Sequence, residues 1–191
     1  MRTGSILAAA LLVALLSSCT TTKAGHGSAL QISCDSSSVI KPSTGEYCFL
    51  APDGMKPLTT PAGLTAGTKV GVDKSNAVVV TLLQFDSDLS VLSNSQLRTS
   101  LEKGLKEGAL ADSLDYAKGQ WSTSPAGRTL DYDGTAVSGT DQRKIPAKYH
   151  FIFTKKLAAE VICAWGDPGK ATTVKAACAS VVGTLRFATS G

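Results

Sequence analysis

An apolar run near the N-terminus constrains this chain most, because it decides the compartment in which everything after it folds. Ile6 to Leu16 are all apolar, and Arg2 stands before them. Eleven residues are the length of the hydrophobic region of a signal peptide, and too few to cross a bilayer as a helix. The sequence therefore predicts a signal peptide over residues 1–18 and an exported mature chain.

The residues that end this run predict a lipid anchor. Leu16-Ser17-Ser18-Cys19 resembles the bacterial lipobox, in which an aliphatic residue and two small residues precede a cysteine that receives a diacylglyceryl group. The alternative is an ordinary secretory signal with a chance cysteine at the cleavage point. We predict that Cys19 is the lipidated first residue of the mature chain, carrying fatty acyl chains such as palmitate. The protein would then be anchored to the outer face of the cell membrane.

The composition of the mature chain limits its function. Removing residues 1–18 from the 191 leaves 173, enough for one domain with a core. The formal net charge falls from +4 to +3 with the loss of Arg2, and no lysine or arginine run occurs, so no nucleic-acid partner is predicted. No second stretch approaches 18 apolar residues, so the acyl anchor is the one predicted membrane attachment.

Four cysteines remain once Cys19 is assigned to lipid, and an even number in an exported chain indicates disulfides. Three connectivities are possible. We favour the two local pairs, Cys34 with Cys48 and Cys163 with Cys178, because each pair sits at one end of the domain.

Zinc is the alternative use of these cysteines. No two of them have the C-x₂-C spacing, and the two histidines, His26 and His150, lie far apart in the sequence. We therefore predict no metal site.

The chain after Cys19 divides into a tether and one domain. Residues 19–33 are polar and rich in Gly, Ser and Thr, which is typical of a flexible tether, and residues 34–191 form the globular part. Glu46 to Leu50 have the composition of a short strand. Residues 52–68 carry three prolines without periodicity, which predicts that part of this segment is a surface loop.

The middle of the domain shows a strand and then a helix. Val78 to Phe85 is a nearly continuous apolar run, the pattern of a strand buried on both faces. Ser93 and Gln96 form a capping-box signature. The leucines that follow at helical spacing predict an amphipathic helix ending near Gly108.

The rest of the domain is predicted as strands followed by a final helix. The strand candidates lie around Trp121 and at residues 127–137, 148–153 and 159–165. Asp167 and Pro168 are an N-cap and first-turn proline for a C-terminal helix. Cys178 lies on the apolar stripe of that helix and faces the last strand, which supports its pairing with Cys163. An antiparallel sheet packed by an internal and a C-terminal helix is an α+β fold, an α/β sandwich.

Catalytic motifs are not supported. The segment 165–171 lies where a phosphate-binding loop would, but it lacks the first glycine and the magnesium-binding hydroxyl. No G-x-S-x-G occurs, and any triad would depend on His150 alone. The carboxylate pairs Asp86/Asp88 and Asp131/Asp133 are interpreted as turn residues. No enzyme and no cofactor are therefore predicted.

The order of these elements resembles the Mog1/PsbP-like fold, and more closely the actinobacterial exported lipoproteins of the LpqN/LpqT type. The residues that carry the resemblance are 47–55, with a Pro-Asp-Gly turn, and 159–165 with 174–187. Met55 departs from the family, which often has tryptophan there, and the four cysteines are an addition. The resemblance implies an accessory or adaptor domain that binds protein partners or envelope lipids, without catalysis.

The predicted function is a non-catalytic, membrane-anchored binding module of the cell envelope. One alternative is an envelope hydrolase that uses His150 with a nearby carboxylate, and another is a structural lipoprotein without a dedicated ligand. The candidate contact residues are Met55, Leu58 and Leu64 in the proline-rich loop, unless these side chains merely pin the loop to the core. The oligomeric state is left open.

Overall fold

A computed structural model describes residues 32–59, 67–108, 110–138 and 140–188. The predicted signal peptide, Cys19, most of the tether and Leu64 lie outside the described residues. Among those described, none of the helices has both the length and the apolar composition needed to cross a membrane.

The described residues form ten strands and two α-helices. In chain order these are β1 (Val39–Ile40), β2 (Tyr47–Leu50), β3 (Lys56–Leu58), β4 (Thr68–Asp73), β5 (Asn76–Gln84), α1 (Asn94–Lys106), β6 (Gln120–Ser124), β7 (Gly127–Val137), β8 (Lys144–Phe153), β9 (Leu157–Trp165), α2 (Ala171–Thr184) and β10 (Arg186–Phe187). The predicted α+β class and its two helices are confirmed.

One large antiparallel sheet forms the centre of the domain, with the strand order β3-β4-β5-β9-β8-β7-β6. A second, small sheet has the order β1-β2-β10, also antiparallel. The C-terminal strand β10 therefore returns to pair with β2, close to the start of the domain.

The central sheet has a hydrophobic core on each face. Tyr149, Phe151 and Phe153 of β8 pack with α1, whereas Ile152 packs with α2 and with β2. Successive side chains of a strand point to opposite faces, so even-numbered residues of β8 face α2. This places His150 on the α2 face, opposite the aromatic residues 149, 151 and 153 of the same strand.

Helix α1 begins as the sequence predicts. Ser93 Oγ accepts a hydrogen bond from the Gln96 amide, and the Gln96 side chain accepts one from the Ser93 amide, which completes the capping box. Leu97 and Leu101 are buried in the core between α1 and the large sheet. The cap and this apolar stripe fix α1 against its face of the sheet.

Helix α2 begins later than predicted. Asp167 caps a 3₁₀ turn, Pro168–Lys170, and the α-helix follows from Ala171. Proline suits this first turn because it has no N–H to leave unpaired. Val174, Val181 and the other inward residues of α2 then cover the sheet.

Two disulfides, Cys34–Cys48 and Cys163–Cys178, are present, so the favoured connectivity is confirmed. The first connects the segment after the tether to β2, and the second connects β9 to α2. The segment 52–68, predicted in part as a surface loop, contains a short strand that the sequence did not predict. Residues 56–58 of the predicted surface loop form the edge strand β3, paired with residues 69–71 of β4.

Candidate functional site

A groove lies beside α2 on its face of the large sheet. Helix α2 packs mainly against β9, β5 and β2, so the same face of β8, β7 and β6 forms the other wall. The groove has a volume of about 580 Å³, within the range of small-molecule sites. Its lining residues are Ser122, Thr123, Ser124 and Pro125 near β6, Asp131 and Asp133 of β7, Lys148 and His150 of β8, Cys163 and Trp165 of β9, and Lys175, Cys178, Ala179, Val182 and Gly183 of α2.

The walls of the groove are largely apolar and its mouth carries charges. Trp165, Val182 and the Cys163–Cys178 disulfide supply apolar surface. Lys175 Nζ lies 4.8 Å from the centre of the Trp165 ring, a cation–π contact. Lys148 is exposed, as is its cross-strand partner Asp133. This combination suits an amphiphile better than a fully polar ligand.

His150 and Asp131 form a hydrogen-bonded pair within the groove. They are cross-strand partners on β8 and β7, and His150 Nδ1 lies 2.6 Å from Asp131 Oδ1. Ser122 Oγ donates to the other oxygen, Oδ2, at 2.9 Å. Burial alone would raise the pKa of Asp131, but the hydrogen bond and charge of His150 lower that pKa below its usual value. The carboxylate therefore stays ionised and fixes the ring.

The other ring nitrogen of His150 faces sulfur. Nε2 lies 3.3 Å from Cys178 Sγ. A disulfide sulfur has no proton to donate, so this contact is a hydrogen bond when Nε2 carries hydrogen. In the described part of the chain, no hydrogen bond joins His150 to a serine or threonine hydroxyl. The pair therefore lacks the nucleophile that a Ser-His-Asp hydrolase aligns on this nitrogen.

The predicted contact residues Met55 and Leu58 lie elsewhere. Met55 is half-buried and packs against the core between α2 and the large sheet, and Leu58 is half-buried on β3. Neither lines the groove. Leu64 is outside the described residues. Of the predicted site residues, Cys163 and Cys178 meet His150 at the groove, while Cys34 and Cys48 are at the small sheet.

Two features of the groove were missed by sequence reasoning. Asp131 was interpreted as a turn residue, but it lies inside β7 and pairs with His150. Trp165 is predicted from the sequence only as the last residue of a strand, and it lines the groove. The alternation of β7 and β8 was available as a signal, since i, i+2 residues share a face, but the register that joins Asp131 to His150 is a tertiary property.

Comparison with known proteins supports the fold. No family model matches the chain, and no curated protein sequence matches it. The solution structure of cyanobacterial PsbP (CyanoP) from Synechocystis sp. PCC 6803 is similar, with a TM-score of 0.51, 11% identity, and coverage of 78% of this chain and 91% of that one. A crystal structure from Bacteroides thetaiotaomicron VPI-5482 aligns with a TM-score of 0.47 and 10% identity, over 80% of this chain and 48% of that one. The fold of this chain is PsbP-like.

Proposed function

We propose that this protein is a non-catalytic, membrane-anchored lipoprotein that binds an apolar or amphiphilic envelope ligand in the groove beside α2. The observation that carries the proposal is the groove itself, whose volume of about 580 Å³ and largely apolar walls suit an acyl or aromatic moiety. The lysines at its mouth suit an anionic headgroup. A binding module needs such a groove, whereas a purely structural lipoprotein does not.

The anchoring part of the proposal rests on the sequence of residues 1–22. Leu16-Ser17-Ser18-Cys19 after the apolar run supports lipidation of Cys19, and the PsbP-like domain is compatible with a lipoprotein of the LpqN/LpqT type. Cys19→Ser should abolish acylation and cleavage by the lipoprotein peptidase, measured by the intact mass of the mature chain. If the variant were still cleaved after Ser18 and entered the detergent phase normally, the anchor would be refuted.

The binding part is tested by filling the groove without touching the core. Ala179 is exposed on α2 and lines the groove, so Ala179→Trp should occupy its volume. Thr173 is exposed on the same helix but does not line the groove, which makes Thr173→Trp the matched control. The full chain is purified from a detergent extract of membranes, and co-purifying lipids are identified by mass.

We expect the wild type and Thr173→Trp to retain the same lipid, and Ala179→Trp to lose most of it. A lipid retained equally by all three proteins would mean that the groove is not its site. Absence of any bound lipid in all three would favour a structural lipoprotein without a dedicated ligand.

An envelope hydrolase is the second candidate, and the His150–Asp131 hydrogen bond favours it. The pair is buried enough to be oriented, with 13% and 19% of the two side chains exposed. The position that a nucleophile would need beside Nε2 is occupied by the Cys178 sulfur, however, so we rank this function second. Ester hydrolysis by the wild type that is lost in His150→Ala would reverse this order.

A further inference from the structure

The floor of the groove brings together three side chains that bind metals well. A ring nitrogen of His150 and the sulfurs of Cys163 and Cys178 all lie within 4.8 Å of one another. The side chains come from three different elements, β8, β9 and α2. Because two paired strands and a helix hold these side chains, they would stay close together even if the bond between the sulfurs were broken.

The surroundings of His150 match those of a metal-ligating histidine. Such a histidine usually donates one ring N–H to a carboxylate, which leaves the other nitrogen free for the metal. Asp131 Oδ1 lies 2.6 Å from Nδ1, and Ser122 Oγ holds the second carboxylate oxygen at 2.9 Å. Nε2 is then directed at Cys178 Sγ, 3.3 Å away. A disulfide does not need an oriented histidine beside it, whereas a metal site does. The Asp131–His150 pair therefore fits the role of orienting a metal ligand.

We propose that Cys163, Cys178 and His150 form a binding site for a thiophilic d¹⁰ cation, Zn²⁺ or Cu⁺, which the disulfide masks and reduction opens. Two thiolates and one imidazole are donors that both ions accept. Cu⁺ is satisfied by three ligands. Zn²⁺ takes a fourth, which water or a ligand in the groove supplies.

A dithiol is the reductant that opens the site. The dithiol attacks the Cys163–Cys178 bond, the S–S bond breaks, and two cysteine thiols form while the reductant closes its own disulfide. Binding of the metal then replaces the two thiol protons by two metal–sulfur bonds, and both protons are released to solvent. With Zn–S bonds of about 2.3 Å, the two sulfurs need only move to a separation of roughly 3.8 Å.

The experiment compares oxidised and reduced full-length chain with the metal alone as the probe. The protein is reduced with a phosphine, freed of reductant without oxygen, and titrated with Zn²⁺ or Cu⁺ against a chromophoric chelator. We expect one tightly bound equivalent in the reduced protein and none in the oxidised protein. Cys34→Ala with Cys48→Ala should leave this binding intact, whereas Cys163→Ala with Cys178→Ala should abolish it.

Variants of the histidine pair separate this site from non-specific thiol binding. His150→Ala should lower the affinity at least tenfold, and Asp131→Asn by about 10–100-fold. Lys144→Ala is the matched control, since Lys144 is exposed on the same strand, does not line the groove and is expected to have no effect. The Co²⁺-loaded protein should show thiolate charge-transfer bands in the near-ultraviolet and d–d bands in the visible, and the d–d bands should change in His150→Ala.

The proposal fails if the reduced wild type binds no more tightly than the variant without Cys163 and Cys178, or if His150→Ala binds both ions as well as the wild type. Circular dichroism tests whether the protein stays folded after reduction. If reduction unfolds the protein and neither ion restores the native spectrum, the site does not exist in this fold. Restoration by metal in the wild type but not in His150→Ala would support it.

Discussion

Replacing Cys163 and Cys178 together by alanine should lower the free energy of unfolding by about 3 kcal/mol. The bond closes a loop with a sequence separation of 15 and ties α2 to β9, so its loss restores entropy to the unfolded chain. Both residues are buried, and alanine leaves no new buried polar group. For a domain of this size, the melting temperature should fall by roughly 6–12 °C, measured by calorimetry.

The second disulfide provides the control for this prediction. Cys34–Cys48 closes a loop with a separation of 14, so the chain-entropy contribution is nearly the same. Its removal should lower the melting temperature similarly but leave ligand retention in the groove unchanged, because neither cysteine lines it. A melting temperature unchanged by loss of Cys163–Cys178 would show that β9 and α2 are held by packing alone.

Replacing Met55 and Leu58 together by serine should cost roughly 2–3 kcal/mol of stability, because both side chains lose buried apolar surface. Met55 packs against the core between α2 and the large sheet, and Leu58 lies so close to β4 that a Cβ at Gly71 would be 2.8 Å from its Cδ1. The measurement is the urea-unfolding midpoint, with retention of the co-purified lipid followed in parallel.

Val91→Ser is the matched control for this pair, since Val91 is 78% exposed and should tolerate the same chemical change with no shift. An unchanged midpoint with loss of lipid in the double variant would contradict the expectation. In that case the segment around Met55 and Leu58 is a contact surface rather than part of the core.

Local sequence signals predicted both helices and six of the ten strands, but not β1, β3, β4 or β10. The capping box at Ser93 depends on residues three apart, so it can be found without knowing the tertiary structure. Asp167 and Pro168 are adjacent and equally easy to find, but they begin the 3₁₀ turn that precedes α2 and not α2 itself. The pairing of Cys163 with Cys178 followed from the inward stripe of one helix beside the strand that it covers. Such features are decided by short-range geometry.

The groove could not be predicted in the same way. It depends on how β6, β7 and β8 extend beyond the area covered by α2, and on the register that sets Asp131 opposite His150. A shift of one residue between β7 and β8 would put the two side chains on opposite faces of the sheet. Strand β3 could not be predicted either, because its pairing also depends on tertiary structure. Its three residues include Pro57, and they form a strand because they pair with the edge of β4.

The placement of Cys34–Cys48 has a mechanical consequence. Any pull on the chain ahead of Cys34 reaches β2 directly through a covalent bond, by-passing the residues between the two cysteines. β2 lies between β1 and β10 in the small sheet, and Tyr47 Oη donates to the Val80 carbonyl oxygen of the large sheet at 2.9 Å. A force applied from the N-terminal side would thus act on both sheets at once. The segment 35–47 would not detach from the domain before the sheets themselves bear the force.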